Sequence, residues 1–129
     1  MSKKLKTLGR KVTKFAGLET FTKPAGVVEV TCISDEVTAN CPVTGQPDWY
    51  KVEITYEPDK LCVESKTVKL FLQSFRNEGH FCENFASIIA HEFFKALLPL
   101  RVQVQVTQKA RGGVSIVSSA FLDELPKKK

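Results

Sequence analysis

The stretch Trp49-Tyr50-Lys51-Val52-Glu53-Ile54-Thr55-Tyr56 decides the fold. Tyr50, Val52, Ile54 and Tyr56 alternate with Trp49, Lys51, Glu53 and Thr55, the period-two pattern of a strand with one buried face. Such a strand needs partners and a cover for its apolar side. Upstream, residues 26–33 are rich in β-branched side chains and read as a strand pairing antiparallel with it. Residues 34–47 read as the loop between the two. Downstream, Glu57-Pro58-Asp59-Lys60 is a turn, and residues 61–63 lead to Ser65, read as the N-cap of a helix. Val68, Phe71, Leu72 and Phe75 share one face of that helix, and Asn77-Glu78-Gly79 stops it. A second helix is expected over residues 82–98, with Phe85, Ile88, Ile89, Phe93 and Leu97 on its apolar side and Pro99 at its end. Residues 100–107 alternate again, Arg111-Gly112-Gly113 turns the chain, and residues 114–117 return as a last strand.

The order ββααββ predicts an α+β domain: a four-stranded antiparallel sheet with both helices packed on one face. Such a sheet keeps two open edges and one uncovered face. Self-association is the physical expectation, with edge-to-edge pairing of subunits into a closed barrel.

The totals set limits. A chain of 129 residues, 43% hydrophobic, holds one domain with a real core and has no room for a separate dinucleotide-binding domain. No apolar run approaches membrane-spanning length, and the basic N-terminus lacks the apolar stretch of a signal peptide. The expected location is cytoplasmic. The net charge of +5 comes from the tails. Lys3, Lys4, Lys6, Arg10, Lys11 and Lys14 stand without an acid, and residues 127–129 are lysines. The body between holds ten bases against fourteen acids. The tails read as solvated termini rather than a required nucleic-acid arm. The expected organisation is a basic arm over 1–17, one catalytic domain over 18–120 and a tail over 121–129. Cysteines 32, 41, 62 and 82 are widely spaced, which argues against a disulfide framework. His80 and Cys82 supply only two of the four ligands that a structural zinc needs, so no metal is expected.

Three stretches carry candidate chemistry. Cys41-Pro42-Val43-Thr44-Gly45-Gln46-Pro47-Asp48 places a thiol and a carboxylate at the ends of a stiff spacer. By itself it is either a tight loop or a nucleophile with its proton donor. Glu64-Ser65-Lys66 sits at a helix start, where anions are favoured; it is either a capping segment or a ligand-binding one. Glu83 opens the second helix, and its carboxylate can take two adjacent donors of a guanine-like edge. Arg111-Gly112-Gly113 is a hairpin turn that can also approach a phosphate.

Together these residues form a set that resembles the NADPH-dependent 7-cyano-7-deazaguanine (preQ0) reductases, the nitrile reductases of queuosine biosynthesis, in their short single-module type. The Cys41–Asp48 loop, the run Glu64-Ser65-Lys66-Thr67-Val68-Lys69-Leu70-Phe71, then Phe75-Arg76-Asn77, Gly79, Phe81 to Glu83, and Arg111-Gly112-Gly113 before Val114-Ser115-Ile116 carry the resemblance. It covers about residues 18–117, and the run from Glu64 is its specific part. It implies the tunnelling fold and a homo-oligomer with active sites between subunits. It implies Cys41 as the nucleophile forming a covalent thioimide and Asp48 as the acid. Val63, Glu64, Ser65, Cys82 and Glu83 would line the substrate site. Ser65, Lys66, Arg111 and Gly112 would face NADPH. Two departures stand out: Thr67 replaces a Ser or Ala, and Cys82 replaces a histidine common before the anchoring glutamate. Cys82 thereby becomes a candidate disulfide partner for Cys41. The alternative is an amidine-forming enzyme acting on a tRNA that bears 7-cyano-7-deazaguanine, which needs Cys41 and Asp48 but not the cofactor residues.

Overall fold

The computed structural model describes residues 15–126. The nine basic residues read as tails lie outside that range. The chain runs through β1 (Thr20–Thr22), β2 (Val30–Asn40), β3 (Pro47–Glu57), β4 (Leu61–Val63), α1 (Ser65–Gln73), a 3-10 turn (Ser74–Asn77), α2 (Cys82–Leu97), β5 (Arg101–Arg111) and β6 (Val114–Leu122). The four long strands form one antiparallel sheet in the order β2-β3-β5-β6, and β1 pairs with β4 in a small second sheet. The alternation read on β3 is the organising one. Tyr50, Val52, Ile54 and Tyr56 are wholly buried, as are Val102, Val104 and Val106 beside them on β5. Phe85, Ile89, Phe93 and Leu97 of α2 and Val68, Phe71 and Leu72 of α1 complete the same core cluster. Each such apolar side chain contributes about 1.5–3 kcal/mol by leaving water, which is what fixes both helices to this face. The opposite face carries Trp49, Gln103, Gln105 and Phe121, all exposed. Within the chain β2 and β6 are edge strands.

Three expectations are corrected. β2 begins at Val30 and continues to Asn40, through residues read as loop. A register shift between Ser34 and Val37 explains this. It is a bulge that puts Asp35 and Glu36 outside while returning Val37 and Ala39 to the buried face. Lys109 Nζ donates to the Asp35 carbonyl at 3.0 Å, tying the bulge to β5. β6 continues through Phe121 and Leu122, past the expected start of the tail. The N-cap of α1 is Glu64, not Ser65: its backbone is extended (φ −79°, ψ 127°), and its carboxylate accepts from the Lys66 and Thr67 N–H groups.

Candidate active site

Residues 41–46 join β2 to β3. Cys41 closes this loop, donating its N–H to Gln46 O at 2.7 Å and accepting from Gly45 N–H at 2.8 Å. Gly45 takes φ 73°, a left-handed conformation that glycine adopts without strain. The segment between the helices buttresses the loop. Asn40 N–H donates to Glu78 O at 2.9 Å, and Gly79 bridges to Asn40. A Cβ on Gly79 would stand 3.3 Å from Pro42 Cα, so only a glycine fits there without displacing the loop.

The Cys41 thiol is held below its ordinary pKa. The largest cause is a hydrogen bond from the Thr44 side chain, followed by the N–H groups of Thr44 and Val43; desolvation and the charge of Asp48 oppose it. This is the local support that a reactive thiolate needs. Asp48 is buried, two residues before Tyr50 and on the same side of β3. Its Oδ1 lies 3.2 Å from Arg111 Nε.

One hydroxyl marks where the sequence-selected residues meet. Tyr50 Oη points to the His80 carbonyl at 3.5 Å. Burial, then the charges of Asp48, Cys82, Cys41 and Glu83, push this phenol to about 12. Those four side chains therefore lie within electrostatic reach of a single buried group. Cys82 opens α2 and is buried; its Sγ lies 3.6 Å from Val106 O and accepts from Ser118 Oγ at 3.4 Å. All four cysteines are free thiols. Glu83 is exposed in the first turn of α2. Arg111 is followed by Gly112 and Gly113, which take φ 59° and 79° and have open space where a Cβ would stand.

Val63, Glu64, Ser65 and Lys66 lie elsewhere. Val63 N–H donates to Tyr56 Oη at 2.9 Å, and Tyr56 is six residues beyond Tyr50 on β3, about 20 Å along the strand. The Glu64 carboxylate takes the Lys66 N–H at 2.6 Å and the Thr67 N–H at 3.2 Å. It fills the anion position that a helix start offers. One chain thus gathers Cys41, Asp48, Cys82, Glu83, Arg111 and Gly112 at one end of the sheet and Val63 to Lys66 at the other. A groove of about 710 Å³ runs between β2 and α1 and is lined by Ser65, Lys69 and Arg76, but by none of Cys41, Asp48, Cys82 or Glu83. Among the described residues no cluster of three or more His, Cys, Asp or Glu gathers in a metal-binding arrangement. No helix among them is long and apolar enough to cross a membrane.

Sequence reasoning missed Thr44, Tyr50 and Ser118. Tyr50 was legible only as a core residue. The available signal was Asp48, a carboxylate in phase with the buried alternation of β3.

Residues 47–126 match the family described as QueF-like protein. A protein of Frankia casuarinae named NADPH-dependent 7-cyano-7-deazaguanine reductase is 40% identical over 103 residues, covering 80% of this chain and 82% of its own. One of the same name from Syntrophus aciditrophicus is 40% identical over 119 residues, covering 91% of this chain and 85% of its own. The crystal structure of an archaeosine synthase QueF-Like in the apo form superposes with a TM-score of 0.71, over 78% of this chain and 98% of that one, at 21% identity. That likeness is one of fold, and it bears out the α+β tunnelling architecture.

Proposed function

The chain belongs to the QueF-like protein family, and we propose that it is an NADPH-dependent nitrile reductase converting 7-cyano-7-deazaguanine to its 7-aminomethyl counterpart for queuosine biosynthesis. The observation that supports this most is the placing of a thiol with a lowered pKa and a buried carboxylate, Cys41 and Asp48, at one end of the sheet. In this reading Asp48 takes the thiol proton of Cys41. The thiolate sulfur then bonds to the nitrile carbon, and one π pair of the triple bond moves to the nitrogen. Asp48 returns the proton there, giving a neutral covalent thioimide. Glu83 accepts the amide edge of the base, and Cys82 packs beside it. Two NADPH molecules, bound in turn, would each supply one hydride to the former nitrile carbon; between the two the C–S bond breaks and frees the Cys41 thiolate, and with protons from the site and solvent the nitrile becomes the amine. The cofactor residues of this reading fit a phosphate-bearing group: Arg111 is exposed, and the Gly112 backbone is open to close approach. Ser65 and Lys66 supply a hydroxyl and a second cation.

Val63, Glu64 and Ser65 stand at the far end of the same chain, so a site that also uses them takes them from a second copy. The open edges of β2 and β6 suit such an assembly. We place this homo-oligomer in the cytoplasm, with residues 18–122 as its catalytic domain, extended from the expected 120 to the end of β6, and no nucleic acid required. The test follows the absorbance of NADPH after mixing with protein and 7-cyano-7-deazaguanine. Substrate-dependent oxidation is expected. No oxidation, with amidine formed on a nitrile-bearing tRNA when an amine is added, would replace this reading with the amidine-forming one.

A further inference from the structure

We propose that Arg111 is a positioning residue for Asp48, gripping the start of β3 so that the carboxylate keeps one direction in the site. The inference rests on the proposed nitrile chemistry and adds a role distinct from facing the cofactor. It begins with the ladder. β3 pairs with β2 as far as Asn40↔Pro47, but its pairing with β5 ends at Tyr50↔Gln108. Residues 47–49 therefore have no backbone partner on their β5 side. β5 shifts register against β6 between Gln108 and Arg111, and Arg111 lies just beyond that irregularity.

The arginine side chain fills the gap. Its Nε lies 3.2 Å from Asp48 Oδ1, Nη1 donates to Gln46 Oε1 at 3.4 Å, and Nη2 donates to the Pro47 carbonyl. A single planar group thus holds three consecutive residues, 46 to 48, each through a different atom. The Asp48 side chain is 7% exposed and that of Arg111 46%, so the cation shields a buried carboxylate from its solvent side. A buried carboxylate needs a charged or hydrogen-bonding partner to stay there. The rigid fork of arginine also sets direction, which the single ammonium of lysine does not. Direction matters because the same carboxylate takes a proton at sulfur and delivers it at nitrogen. A misplacement of about 1 Å in such a group costs on the order of 10²-fold in rate.

The test uses the step that needs no cofactor. Full-length protein is mixed with 7-cyano-7-deazaguanine in the absence of NADPH, and the ultraviolet change of adduct formation is timed. Arg111→Gln and Arg111→Lys are expected to slow it about 10- to 100-fold, with circular dichroism and melting temperature like wild type. In an Asp48→Asn background, Arg111→Gln is expected to add less than about twofold, because both changes remove one coupled unit. Adduct formation at the wild-type rate in both Arg111 variants, with only KM for NADPH raised, overturns the inference and leaves Arg111 a cofactor contact. So does a full independent loss from Arg111→Gln on top of Asp48→Asn. Wild-type protein that forms no adduct removes the nitrile reading itself, which sets that failure apart from failure of the Arg111 role.

Discussion

Tyr50 and Tyr56 lie on one strand, face one core and are both wholly buried. Burial pushes both phenols to about 12. Their surroundings differ. Tyr56 accepts the Val63 N–H at 2.9 Å and so secures the turn into α1. Tyr50 has only a long contact to the His80 carbonyl, and its hydroxyl lies within electrostatic reach of Asp48, Cys82, Cys41 and Glu83. The end of the sheet around Tyr56 is closed by backbone hydrogen bonds: Glu64 N–H to Glu19 O, Lys23 N–H to Lys60 O, and the capped start of α1. The end around Tyr50 has backbone bonds as well, Asn40 N–H to Glu78 O and Cys41 N–H to Gln46 O, but side chains also tie it together, with Arg111 on Asp48 and Ser118 on Cys82. Equal burial therefore does not mean an equal role. One tyrosine completes a hydrogen-bond scaffold, while the other lies beneath the residues proposed to carry the chemistry.

Substitutions at the two ends should separate along this line. Cys41→Ala is expected to lower turnover roughly 10³-fold or more, with thermal stability unchanged. Retained turnover would erase the distinction between the ends. Asp48→Asn should lower kcat by about 10²- to 10⁴-fold while substrate binding, read by fluorescence or calorimetry, is spared. A near-wild-type kcat refutes the acid role. Tyr56→Phe leaves the buried Val63 N–H without its partner and should cost about 1–3 kcal/mol in denaturant unfolding. Tyr50→Phe, which gives up only a long contact, should cost under about 1 kcal/mol. Equal losses would mean that both ends are scaffold. The smallest effect is expected from Thr44→Val. It removes the largest support of the Cys41 thiolate, so the thiol pKa rises. The pH of half-maximal alkylation by iodoacetamide then moves upward, and the rate at neutral pH falls. An unmoved profile would show that the loop backbone suffices.

Much of this contrast could be read from the residues. The alternation of residues 49–56 gave the central strand and its buried face, and the apolar faces around Phe71 and Phe93 gave the cover. Cys41 and Asp48 stood out because their spacer is stiff. The bulge in β2 was hidden because Ser34, Asp35 and Glu36 look like loop chemistry, and only the return of Val37 and Ala39 to the core reveals the strand. The Glu64 cap was hidden because it depends on the extended backbone at that position, which composition does not encode. The separation of the ends was hidden for a topological reason. Glu64 caps α1 and Glu83 lies in the first turn of α2, but α1 follows the far end of β3 and α2 starts beside the His80 segment that touches Tyr50. Two similar helix starts thus fall at opposite ends of one sheet. The contact of Arg111 with Asp48 spans more than sixty positions and depends on β5 lying beside β3 and on the irregularity after Gln108, neither of which a local pattern shows.

The most direct test of the chemistry assigned to the Tyr50 end is the mass of the intact protein after incubation with 7-cyano-7-deazaguanine and no NADPH. Addition of one ligand mass, located on the Cys41 peptide and absent from Cys41→Ala, is the expected result. An unchanged mass, or addition at Cys32, Cys62 or Cys82 instead, contradicts Cys41 as the nucleophile.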